Sequence, residues 1–119
     1  MSKKFIQEFY KSDALIDRET LAAYLHDEFR LDWHSSKGFL QLRRDEMLDI
    51  AYELSRAYES SRVKISHIVN DGSLVSLRYS HHVRTFENPR EEMLLAHFMV
   101  IWEIKDGKLY RGYQMSQLS

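Results

Sequence analysis

Apolar and polar positions change rhythm several times along the chain, and each change marks an element. Residues 4 to 11 place Phe5, Ile6, Phe9 and Tyr10 on one side at helical spacing, and SDALID interrupts the run. Asp17 then reads as the N-cap of a second short helix, RETLAAYLH, whose apolar stripe is Leu21, Tyr24 and Leu25. From Glu28 the period falls to two. Phe29, Leu31 and Trp33 alternate with Arg30, Asp32 and His34, as a strand with one buried face requires. The polar loop HSSKG and a short FLQL extension follow. RRDEMLDIAYELSRAYESS is the longest helical pattern, with Asp45 as N-cap and Met47, Ile50 or Ala51, Leu54 and Ala57 or Tyr58 on one face.

The second half carries strands. SRVKISHIVNDG and SLVSLRYSHHVRTF meet at NDG, a short-turn signal that predicts an antiparallel hairpin. After ENPREE, which holds the only proline, MLLAHFMVIWEIKDGKLYRGYQMSQL reads as a second hairpin turning at KDG. Helices gather first and strands second, in the order ααβαββββ, the pattern of an α+β fold rather than of alternating α/β units.

Length and charge narrow the picture. The 119 residues fit one domain, residues 1–119, large enough to bury a core without disulfides or metal. With 17 Lys and Arg against 18 Asp and Glu, no long-range field favours nucleic acid or an anionic membrane. The absence of cysteine removes disulfide frameworks, thiolate metal sites and cysteine nucleophiles together. No apolar run approaches the ~18 residues of a membrane span, and MSKKFIQEFY lacks the apolar stretch of a signal peptide. A cytoplasmic protein is expected.

Candidate chemistry begins at DWHSSKG. Asp32 and His34 are two apart on a strand, share a face, and could form a dyad in which the carboxylate holds the imidazole tautomer. The competing reading makes them the solvated face of an edge strand. His81 and His82 are adjacent, so they face opposite sides and at most one is interior. Six histidines without H-x-H or H-x-x-x-H spacing predict no local metal site. His97 falls on the Met99 and Ile101 side of its strand, while Phe98, Val100, Trp102 and Ile104 share the other.

Two stretches carry a family resemblance: LHDEFRLDWHSSKGFLQLRRDEML, and HFMVIWEIKDGKLYRGYQ with its apolar strand, Asp-Gly-Lys turn and final strand. With them the chain resembles the nuclear transport factor 2-like superfamily, and within it the SnoaL-like and ketosteroid-isomerase-like small proteins. The resemblance implies a cystatin-like cone, a curved antiparallel sheet wrapped around three helices, with a mostly apolar pocket at its open end. It also implies a homodimer paired through the outer sheet face. Such proteins include isomerases, dehydratases, cyclases, epoxide hydrolases and non-catalytic binders, so the fold does not give the reaction.

In the isomerase-like members a catalytic aspartate ends the first strand, a tyrosine on the first helix donates to the developing oxyanion, and a protonated acid on a later strand assists. Carried onto this chain, the aspartate slot falls on His34 without a gap, or on Trp33 with a one-residue deletion. Tyr10 takes the tyrosine position. Val100 stands where the second acid would sit and cannot donate a proton, a departure from the isomerase pattern. The implied pocket is bounded by Trp33, His34, Val100, Trp102, Gln114 and Ser116, with Tyr110 on the same wall. Gln114 and Ser116 are the informative members, because inward polar groups need partners or a ligand. The expected function is binding of a small, largely apolar organic molecule without a cofactor, joined to proton transfer with His34 as base, Asp32 as its orienting carboxylate and Tyr10 as donor. The alternative is a non-catalytic dimeric protein-binding module of the same fold.

Overall fold

A computed structural model describes residues 2–119. Helix α1, Ser2–Lys11, buries Ile6, Phe9 and Tyr10, the face set by its helical spacing. A 3₁₀ turn, Ala14–Ile16, leads to α2, Arg18–Tyr24. Asp17 caps α2 as expected: its carboxylate accepts the backbone N–H of Glu19 at 3.1 Å and of Thr20 at 3.4 Å.

Strand β1 spans Leu25–Ser35, β2 Gly38–Arg43, β3 Tyr58–Asp71, β4 Leu74–Thr85, β5 Met93–Lys105 and β6 Lys108–Leu118, with α3, Arg44–Ala57, between β2 and β3. All six strands form one curved sheet in the order β2-β1-β6-β5-β4-β3. The α+β cone with three helices is therefore present, with two refinements. FLQL is a full strand, β2, paired antiparallel with β1. The sheet is mixed rather than wholly antiparallel, because β1 runs parallel to β6.

Element boundaries move where pairing overrides local pattern. The helical pattern of RETLAAYLH stops at Tyr24, since Leu25 pairs with Leu109 of β6. The long helix stops at Ala57, because Tyr58 and Ser61 pair with Thr85 and Val83. Its N-cap is Arg43, not Asp45. Asp45 lies in the first turn, and the Glu46 carboxylate accepts the Arg43 backbone N–H at 2.9 Å.

Register shifts at Leu25/Arg30, Ile65/His67, His81/His82 and Glu103/Ile104 bend the strands. The inner face of the curved sheet packs on α1 and α3 through Phe29, Leu31, Leu77, Val100 and Leu109. Trp102 sits among them with its indole N–H donating to the Tyr10 hydroxyl at 2.9 Å. Its pairing partner across the strands is Gly112, and the glycine is a packing requirement: a Cβ there would lie 2.4 Å from Trp102 Cζ3 and 2.8 Å from Leu31 Cδ1. No helix among the described residues is long and apolar enough to cross a membrane.

Candidate functional site

The inner face does not pack solid along its whole length. Toward the end of the cone formed by the β1–β2 turn, the sheet and α3 part around a cavity of about 490 Å³. Ile50 and Leu54 of α3 form one wall, Phe98 and Ala96 of β5 another, and Trp33 and Ser116 the floor. A smaller chamber of about 50 Å³ lies deeper, against Phe9, Tyr10, Tyr79, Trp102 and Gln114. Trp33, Ile50, Leu54, His81 and Phe98 line both, so the two spaces adjoin through shared walls.

The walls are flat and aromatic. Tyr79 and Phe98 stack with ring centroids 4.8 Å apart and planes 9° from parallel, and Trp33 tilts against Phe98 at 6.2 Å. Trp33 is held by its indole N–H, which donates to Ser116 Oγ at 2.8 Å. The alternation that turns Trp33 inward on β1 meets the one that turns Ser116 inward on β6.

The polar side chains that the strands and helices bring to the two spaces are uncharged, and Lys37 of the β1–β2 turn is the one charged lining residue among those described. His81 is 3% exposed, with Nε2 2.6 Å from Ser61 Oγ on β3. Burial, and secondarily the neighbouring His82, push its pKa down to about 4, so the imidazole is uncharged at neutral pH. Burial likewise raises the Tyr10 and Tyr79 phenols above their usual range, with the Trp102 N–H partly offsetting the effect at Tyr10. Gln114, 6% exposed, lines the deep chamber. No Asp or Glu among the described residues lines either space.

The residues expected from sequence separate into two groups. Tyr10, Trp33, Trp102, Gln114 and Ser116 come together around the two chambers. His34, Asp32 and Val100 do not. Turning Trp33 inward turns its neighbours outward by the two-residue strand period. His34 is exposed and lies against Phe39 of β2 with centroids 4.7 Å apart. Asp32 accepts instead from Gln41 Nε2 at 2.9 Å, and Arg30 Nε is 3.9 Å away. The expected Asp32–His34 dyad is thus two separate groups on the outer face. Val100 is inward but packed in the core between Leu77 and Gln114, which flank it in the sheet, without lining either space. Tyr110 leaves the expected wall because the register shift at Glu103/Ile104 turns Leu109 inward; its ring lies between Lys105 Nζ at 4.6 Å and Arg111 Cζ at 3.9 Å.

His81, which lines both spaces, and its hydrogen-bond partner Ser61 were not among the site residues expected from sequence. The signal for His81 is present: Val75, Leu77, Tyr79, His81 and Val83 alternate, and extending that apolar series puts the imidazole inside. Ser61 stands where the helical pattern and the strand run SRVKISHIVNDG overlap, and in the strand it shares the half-buried side with Val63 and Ile65.

Comparison with known proteins fixes the family and fold. A family model described as the SnoaL-like domain matches residues 4–112. No curated protein matches the chain. Among solved structures, wild-type IdmH, a putative polyketide cyclase from Streptomyces antibioticus, superposes with TM-score 0.75 at 15% identity, covering 98% of this chain and 91% of that one. An LEH-like epoxide hydrolase from M. tuberculosis gives 0.72 at 16%, with coverages of 97% and 81%. A hypothetical protein of ketosteroid isomerase-like fold from Catenulispora acidiphila, in complex with trimethylamine, gives 0.73 at 9%, with coverages of 96% and 85%. At these identities the structural likeness speaks to fold alone.

Proposed function

The chain belongs to the SnoaL-like domain family, and from that premise we propose that its cavity binds a small, flat, largely apolar organic molecule. The observation that carries the reading is the cavity itself: about 490 Å³ of space between aromatic and aliphatic walls, with His81 and Ser116 as polar contacts on the strands and Ser35, Ser36 and Lys37 contributed by the β1–β2 turn. That size and lining suit a small-molecule site. The stacked Tyr79–Phe98 pair and the Trp33 face favour a planar guest.

Proton-transfer chemistry, if present, passes through His81 rather than His34. His81 is the imidazole that lines the space, and Ser61 fixes one of its ring nitrogens. A base with a pKa of about 4 is poorly matched to a carbon acid at neutral pH. Binding and orientation by hydrogen bonding are therefore the better-supported roles. Tyr10, whose hydroxyl already receives the Trp102 N–H, serves to shape the deep chamber.

A second part of the reading concerns the outer face. Met99, Ile101, Tyr113, Met115 and Phe39 are 44–65% exposed there. Met99 pairs with Met115, which pairs with His34 and so with Phe39, giving a row of three apolar side chains and one imidazole across four strands. A row of this kind is suited to burial against another protein surface, and we assign it to a homodimer, as in the expectation from sequence.

The test of the cavity reading is a thermal-shift and intrinsic-fluorescence screen of flat ketones, phenols, quinones and aromatic acids. A true guest raises the melting temperature by mass action and alters tryptophan emission, and His81→Leu together with Phe98→Ala abolishes both effects. A screen in which no compound moves either signal at millimolar concentration contradicts the reading.

A further inference from the structure

Charge around the cavity is distributed unevenly, and that asymmetry selects a class of guest. The deep end holds neutral polar groups, His81 and Gln114, in a buried setting where an ionised guest atom would lose its hydration without a counter-charge. The mouth holds Lys37, the one formally charged side chain lining either space among the described residues.

Lys37 is placed there by a well-tied turn. Ser35 Oγ accepts the Lys37 backbone N–H at 3.1 Å and donates to the Gly38 carbonyl at 3.3 Å. Ser36 Oγ accepts the Leu118 backbone N–H at 3.1 Å, fastening the turn to the end of β6. Gly38 takes a φ of +113°, which a side chain would strain. The nearby carboxylate on β1, Asp32, is on the outer face and engaged by Gln41. Lys37 itself makes no ion pair with a described residue.

From this polarity we propose that the guest is an aromatic acid. Its planar body lies against the Trp33 and Phe98 rings, a hydroxyl or carbonyl points inward to His81 and Gln114, and its carboxylate meets Lys37 at the mouth. This rests on the cavity-binding reading and adds to it the orientation and charge of the molecule.

Calorimetric titration with two rigid probes separates the claims: 6-hydroxy-2-naphthoate, and 6-hydroxy-2-naphthamide, which keeps the shape and loses the charge. The naphthoate is expected to bind about five-fold more tightly, the size of a solvent-exposed ion pair, and the advantage should shrink with added salt. Lys37→Gln should bring the ratio to about one, and Gln114→Leu should weaken 6-hydroxy-2-naphthoate more than it weakens a third probe, 2-naphthoate, which lacks the hydroxyl. Equal binding of both probes to the unaltered protein, or a ratio that survives Lys37→Gln, overturns the acid assignment and leaves the cavity reading intact. If neither probe binds at millimolar concentration while the broader screen yields other guests, the aromatic-acid class is wrong; if that screen is also empty, both readings fall.

Discussion

His81 and His82 are neighbours in sequence on one strand, yet they occupy different solvents. His81 is buried on the inner face, bonded to Ser61, beside a cavity without carboxylates. His82, on the outer face, bonds Ser80 Oγ at 2.9 Å and sits 3.9 Å from Glu92, whose carboxylate also meets Arg62 and Arg84. The inner face holds few polar groups, His81 bonded to Ser61 and Gln114 at the deep chamber, whereas the outer face gathers His82, Glu92, Arg62 and Arg84 in partly exposed ion pairs. Function on this scaffold follows the face a residue points to more than its type, because a single step along a strand exchanges a dry environment for a wet one.

The contrast can be broken most forcefully at Trp102. Trp102→Ala removes the largest buried side chain of the inner face and should cost about 3–5 kcal/mol, measured by urea unfolding. An outer-face truncation such as Met115→Ser should change monomer stability by less than about 0.5 kcal/mol.

The two histidines sharpen the comparison through pH. An unfolded histidine has the ordinary pKa of 6.5, whereas His81 in the folded chain protonates only near 4. As pH falls the unfolded chain takes up the proton first. Stability due to the neutral imidazole is complete above pH 6.5 and is lost toward pH 4, by about 3 kcal/mol. His81→Gln should flatten that part of the stability profile. His82→Gln should retain most of it, because the partly exposed His82 is lowered less strongly.

A smaller inner-face effect is expected at Gly112. Gly112→Ala should destabilise by about 1–3 kcal/mol through overpacking against Trp102 and Leu31, and pairing it with Trp102→Leu should recover part of the loss. The smallest change in folding energy, with a clear change in assembly, is expected at the outer row. Met115→Lys should convert the proposed dimer to monomer by light scattering at micromolar concentration while leaving the melting temperature of the monomer nearly unchanged. A native chain that already runs as a monomer contradicts the dimer.

Much of the fold was legible because its periodicities are strong. The Phe29–Leu31–Trp33 alternation, the NDG and KDG turns and the Asp17 cap each encode a local choice that tertiary packing agrees with. Boundaries failed where pairing competed with pattern, at Leu25 and at Tyr58–Ser61, since no local signal records which strand waits alongside. The site was legible in part. Trp102, Gln114 and Ser116 follow from strand faces that the family resemblance turns inward, whereas Tyr10, Trp33 and His34 came from alignment to its catalytic slots, where a shift of one residue reverses the face. His81 lay in a clean alternating series, but from sequence it was read only as one of two adjacent histidines of which at most one is interior.

The most direct measurement is the imidazole resonance of each histidine by NMR, followed through a pH titration and then on addition of 6-hydroxy-2-naphthoate or any other guest the screen provides. Residence of the guest in the inner cavity requires that the His81 resonances shift on ligand addition while those of His34 and His82 stay within small, uniform changes; burial of His81 separately predicts titration near pH 4 in the free protein. A ligand that moves His34 and leaves His81 untouched would contradict it, and would place binding on the outer face of the sheet.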